Sequence, residues 1–183
     1  MLPLFRRAGF DWFALGIESG SRKVRADANK ALKNDDEIVE TVRAIEAAGI
    51  NVISNFIFGL PSDDAASMQQ TLDLALSLNT AFANFYVCMA YPGSALYDEA
   101  IAKGWTLPET WAGFSQHNFQ CRPLDTQYVS AAEVLRFRDD AFNAYFTNPA
   151  YLGMIEGKFG AAALDHIRGM TTFKLKRKLL EAA

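Results

Sequence analysis

Three short runs in this chain hold residues that make poor core material and good ligand contacts. In GIESGS at 16–21, the carboxylate of Glu18 and the hydroxyl of Ser19 lie between Gly16 and Gly20. Two uses are open to them: hydrogen-bonding a polar ligand such as a ribose diol, or capping a following helix through Ser19 or Ser21. In FIFGLPSD at 56–63, Gly59 lets a ligand approach the backbone and Pro61 stiffens the turn. Ser62 and Asp63 would open the next helix, so an ordinary capped turn explains this run equally well. In MAYPGSALY at 89–97, the backbone around Met89, Ala90 and Tyr91 is free to contact something flat, and Pro92 with Gly93 makes the turn. Any one run is weak, and their weight comes from position.

Each run follows a buried apolar segment, at 12–17, 51–58 and 83–89. These segments are near-continuous in hydrophobicity, as strands covered on both faces are. Helical patterns separate them. Ile38, Val42 and Ile45 share one face of a helix over 35–48, with Gly49 at its end. Met68, Leu72, Ala75 and Leu76 mark a second helix over 63–78, with Ser62 as N-cap and Asp63 and Asp64 in its first turn. The spacing is that of βα repeats, and right-handed crossovers make the three strands parallel neighbours. The three polar runs then emerge at the carboxyl ends of the strands, where parallel α/β assemblies bind ligands.

After Gly104 the pattern changes. Residues 105–128 carry Trp105, Trp111, Phe114, Phe119 and Tyr128 without a steady period, and read as an irregular connection packed through its aromatics. Ser130 and Glu133 then form a capping box, with Val129 and Val134 as a hydrophobic staple, and the helix stops at Asn148 and Pro149. The remainder, 150–183, reads as helical, and its four cations between Lys174 and Lys178 read as a solvated helix face. The division expected is an α/β unit over 1–104 and a mostly helical extension over 105–183.

Composition excludes several classes. The chain has 183 residues, half of them hydrophobic, with 18 Lys and Arg against 21 Asp and Glu. A net charge of -3 gives no basic field for nucleic acid. Two distant cysteines, Cys88 and Cys121, exclude a disulfide scaffold and a CxxC metal knuckle. His117 and His166 have no ligand-like neighbours, and the common nucleotide and hydrolase motifs are missing. No apolar run approaches the roughly 20 residues of a membrane span, so a cytoplasmic location is expected.

Together with AGF at 8–10, Lys30 and AGI at 48–50, the three runs resemble the second half of a radical S-adenosylmethionine (radical SAM) core. The similarity points to the cobalamin-binding branch, such as enzymes of the anaerobic cyclase type. It implies the C-terminal half of a (β/α)6 partial barrel, followed by a helical C-terminal region. It further implies that Glu18 and Ser19 face the ribose and methionine of SAM, and that Ile57 packs on adenine beside Gly59 and Pro61. The backbone of Met89, Ala90 and Tyr91 would hydrogen-bond the adenine edge. The family's [4Fe-4S] cluster needs three cysteines in CxxxCxxC, which this sequence lacks.

The resemblance therefore implies the C-terminal part of a larger enzyme, with cluster ligands, a glycine-rich SAM turn and a cobalamin domain elsewhere. The missing half-barrel would come from the same gene or from a separate chain, and the substrate would be a small molecule. A rival reading is a non-catalytic half-barrel that docks on a partner. An aldolase-like lyase is disfavoured, because Lys30 falls after the first strand rather than at a strand end.

Overall fold

The computed structural model describes residues 1–28 and 35–181; Lys30 lies outside them. A short helix, α1 (Leu2–Arg7), leads into β1 (Trp12–Glu18) and α2 (Arg22–Asp27). Then follow α3 (Asp35–Ala47), β2 (Asn51–Phe58), α4 (Ala65–Leu78) and β3 (Phe82–Val87). All three strands are parallel, in the order β1-β2-β3, as the repeat spacing requires. The third strand ends at Val87, so Met89 and Ala90 lie in the following loop. Beyond it come α5 (Ala95–Ala102), a 3-10 turn at Trp111–Phe114, α6 (Ala131–Phe146), α7 (Pro149–Phe159), α8 (Ala161–Thr171) and α9 (Lys178–Glu181).

The strands are not covered on both faces. Along β2, Val52, Ser54, Phe56 and Phe58 are buried while Asn51, Ile53, Asn55 and Ile57 are half-buried. On β3, Ala83, Phe85 and Val87 are buried and the residues between them are not. This is a period-2 alternation. It escapes a reading of the sequence because the less covered face is itself partly apolar, with Ile53, Ile57, Phe82 and Tyr86. The buried face packs on α3, α4 and α6, where Phe58 meets Phe85 and Phe137 at ring distances of 5.8 and 5.0 Å. The same core runs through Tyr145, Phe146, Tyr151 and Leu164, so the helical region and the sheet share it.

The helix ends follow from local chemistry. The capping box of α6 forms, with Ser130 and Glu133 exchanging bonds, and Val129 and Val134 are buried beside it. For α4 the cap is Asp64, not Ser62: its carboxylate accepts from Ser67 N at 2.8 Å, and Ser67 Oγ accepts from Asp64 N. The helix thus starts later than expected, and Asp63 lies before it.

Two expectations about the C-terminal half need correction. Trp111 is 78% exposed, and Phe119 and Tyr128 are also exposed, so the connection does not pack through all its aromatics. Polar side chains hold it instead: Gln116 bonds both N and O of Val87, and Asp125 accepts from Ala131 N. Nor is 173–180 a solvated helix. Residues 173–177 are not helical, and Arg177 is buried, paired through Nε and Nη2 with Asp139. Arg177 also donates to the carbonyls of Gln116 and Asn118, so one guanidinium joins the tail, α6 and the connection.

Candidate functional site at the strand ends

Register brings the three polar runs to one end of the sheet. Glu18 pairs with Phe56, and Phe58 pairs with Val87. The ladder slips between Gly16 and Glu18, and Glu18 has φ of 68°. Ser19 N donates to Ile17 O at 2.9 Å, closing a three-residue turn on Glu18. A side-chain-bearing residue in this turn is strained by about 1–2 kcal/mol. Bulges and strained residues at strand ends re-aim side chains at functional sites. Nothing in the sequence around Glu18 signals this turn, since glycine or asparagine would be the usual marker.

Ser19, proposed above as a ligand contact or a cap, is fully buried. Its hydroxyl lies 3.1 Å from Thr71 Oγ1 and accepts from Ser21 N, and its carbonyl accepts from Arg25 at 2.7 Å. Ser21 is the N-cap of α2 without a side-chain bond. Gly20 serves packing rather than ligand access: a Cβ there would lie 2.3 Å from Gln70 O. Gly59 does likewise, with its missing Cβ position 2.7 Å from Val134 of α6 and φ of 76°. Both glycines look like ligand glycines in sequence because their real neighbours, α4 and α6, are distant along the chain. Gly59→Ala is expected to cost about 2–4 kcal/mol through strain and overpacking, read as a lowered denaturation midpoint.

Asp63 sits behind this turn, fully buried. It accepts from Leu60 N at 3.0 Å and from Ser67 Oγ at 2.6 Å, fixing the loop that carries Gly59 and Pro61. Burial pushes its carboxyl above the ordinary range, against the pull of the Ser67 and Leu60 bonds. A raised folded value favours the protonated form, so this group's contribution falls as pH rises through that value. Asp63→Ala should cost about 2 kcal/mol by orphaning Leu60 N, measured by urea denaturation.

Ile57 is half-buried and packs beside a second apolar cluster of Val24, Leu60, Cys88, Ala90, Ala100 and Leu124. That cluster, with Leu96, Tyr97 and Trp105 of the following segments, covers part of the strand ends. Pro61 is exposed, Met89 and Ala90 are buried, and Tyr91 is 48% exposed. Tyr91 N donates to Met89 O at 3.1 Å, a tight turn that orders this backbone. The structure thus brings all three runs to one end. Glu18, Ile57, Pro61 and Tyr91 retain accessible surface, whereas Ser19 and Asp63 act from behind.

The same residues give no home to an iron–sulfur cluster. Cys88 and Cys121 are both buried, in separate apolar clusters. Burial pushes the Cys88 thiol up to about 12, and burial also raises Cys121, so neither offers a thiolate. Among the described residues no three His, Cys, Asp or Glu side chains converge as metal ligands. No helix among them is long and apolar enough to cross a membrane.

Residues 1–75 match the family model of the radical SAM superfamily. An uncharacterized methyltransferase of Pyrococcus horikoshii is 21% identical over 137 residues, which is 75% of this chain and 29% of that protein. The anaerobic magnesium-protoporphyrin IX monomethyl ester cyclase of Rubrivivax gelatinosus is 27% identical over 83% of this chain and 26% of its own length. The solved structure of coproporphyrinogen III oxidase from Escherichia coli, described as a radical SAM enzyme, aligns with 62% of this chain and 33% of its own. Its TM-score is 0.46 at 17% identity. The chain spans less than a third of the length of either curated relative.

Proposed function

We propose, from the match of residues 1–75 to the family model of the radical SAM superfamily, that this chain is part of a radical SAM protein and that its strand ends form one half of a SAM pocket. The observation that carries this reading is the strained turn at Glu18, held beside the turns after β2 and β3 by parallel register. In such enzymes SAM bound to a reduced [4Fe-4S] cluster supplies a 5′-deoxyadenosyl radical. This chain's cysteines do not fit the cluster, so its part is to bind and orient. Glu18 would accept from the ribose hydroxyls, with Ser19 and Thr71 bracing the turn behind it. Ile57 would pack on adenine, the loop fixed by Asp63 would shape that wall, and the Met89–Tyr91 backbone would hydrogen-bond the adenine edge.

Edge chemistry supports strands joining from one side only. The free edge of β3 is stopped by side chains: Arg138 Nε donates to Phe85 O at 2.8 Å, and the Gln116 amide occupies both groups of Val87. No described strand pairs with the outer edge of β1, where Trp12, Ala14 and Gly16 are exposed. A cluster-bearing half-barrel would therefore add at β1. The same edge suits the rival reading, a non-catalytic module docked on a partner. The cobalamin-binding branch rests on the distant likeness to the anaerobic cyclase, 27% identical to this chain. The substrate would be a small molecule.

The test pairs two variants. Glu18→Gly should be more stable than Glu18→Ala by about 1 kcal/mol, because glycine tolerates positive φ. Both should weaken SAM binding in equilibrium dialysis about tenfold, the effect of a lost hydrogen bond to a charged acceptor. SAM binding unaffected by either variant would overturn the proposal and leave the assembly module. Anaerobic reconstitution with iron and sulfide should give no [4Fe-4S] signal from the chain alone; a stable cluster with SAM cleavage would contradict the division of labour.

A further inference from the structure

A cavity of about 590 Å³ lies away from the three polar runs, along the outer edge of β3. We propose that it is a second small-molecule site, for an organic anion with an aromatic or alicyclic body. Its volume falls in the range of small-ligand pockets. Phe82, Asn84 and Tyr86 of β3 line it together with Phe142 of α6, Met170 and Phe173. Phe82 and Phe142 both pack on Phe146, at ring distances of 5.2 and 4.7 Å, which ties these lining rings to the aromatic core.

Charge selects the ligand's sign. Arg136, Arg138 and Lys174 line the cavity against Asp139 and Asp140. Asp139 is already satisfied by Arg138 and by the buried Arg177 behind the wall. His117, also in the lining, is held below its ordinary pKa by burial and by Arg138 and Arg177, and stays neutral near pH 7. The field that remains at the cavity is positive and suits an anion.

A peptide strand is the competing occupant of a free sheet edge, but Phe85 O and both groups of Val87 are already taken. Asn84 donates to Asn55 Oδ1 at 2.9 Å, and Asn55 donates to Leu15 O. That relay turns the Asn84 amide into a fixed polar contact on an otherwise apolar wall. None of this depends on the SAM pocket.

The probe is 1-anilinonaphthalene-8-sulfonate, an aromatic anion that fluoresces on leaving water, titrated into the chain. The expected result is saturable binding at one site per chain. The uncharged analogue N-phenyl-1-naphthylamine should bind about fivefold more weakly or worse. Phe173→Ser and Lys174→Glu alter exposed positions, so folding should hold by circular dichroism while each weakens the sulfonate about fivefold. Trp111→Ala, exposed elsewhere, should change nothing. Unsaturable binding, equal affinity for the neutral analogue, or binding indifferent to Phe173 and Lys174 would overturn the site.

Discussion

Asp139→Ala should lower the stability of the chain by about 3–5 kcal/mol, the range for removing one partner of a buried ion pair. Asp139 accepts from Arg138 at 2.8 Å and from Arg177 Nε and Nη2 at 3.0 Å each, and both guanidiniums are buried. Without the carboxylate, two cations remain in a site that cannot hydrate them. For a chain of this size the loss should appear as a drop of roughly 6–20 °C in melting temperature. The damage should be local first. Arg177 anchors the tail, and Lys178 N donates to Phe119 O at 2.8 Å, so trypsin should cut at Lys174 and Lys176 in the variant well before the core.

The acid limb of the stability curve gives an independent reading of the same group. Burial works to raise the Asp139 pKa, but the bonds from Arg177 and Arg138 outweigh it and hold the carboxyl below its ordinary value. A depressed folded value contributes stability above the unfolded pKa and loses it as pH falls through the folded one. The wild type should therefore lose stability on acidification below about pH 4 more steeply than Asp139→Ala. Parallel curves would remove Asp139 from this role.

Gly20→Ala is the second large effect. The new Cβ would sit 2.3 Å from Gln70 O, 2.6 Å from Gln70 C and 2.7 Å from Thr71 Cα. All three are backbone atoms of α4, so no rotamer change can relieve the clash. The end of β1 must swing off the helix, breaking Gly20 N to Thr71 Oγ1 at 2.8 Å and the contact of Ser19 with Thr71. Overpacking and lost buried bonds together should cost about 2–4 kcal/mol. Because Glu18 rides on that turn, SAM binding should fall with it. Gly157→Ala provides the contrast, since nothing lies within 4 Å of its Cβ position inside α7. That change should stabilise by about 0.5–1 kcal/mol, as alanine does in a helix interior.

The contrast among glycines marks the limit of what the sequence reveals. Runs of apolar residues separated by helical patterns give three parallel neighbouring strands, because period and spacing are local properties that crossover handedness converts into topology. The capping box at Ser130 and Glu133 is legible for the same reason. The purposes of Gly20 and Gly59 are not, because each is set by a residue on another element, Gln70 and Val134; Asp63 bonds locally to Leu60 and Ser67, but its burial is set by the fold. Arg177 reads as one of four solvated cations until the fold brings Asp139 beneath it. Strain at Glu18 has no compositional mark at all.

Saturation-transfer NMR of SAM with the purified chain addresses the half-pocket most directly. The expected result is transfer to the adenine and ribose protons of SAM, lost from adenine in Ile57→Asp and from ribose in Glu18→Ala. Absence of transfer, or transfer that neither change alters, would place the nucleoside elsewhere and contradict the pocket.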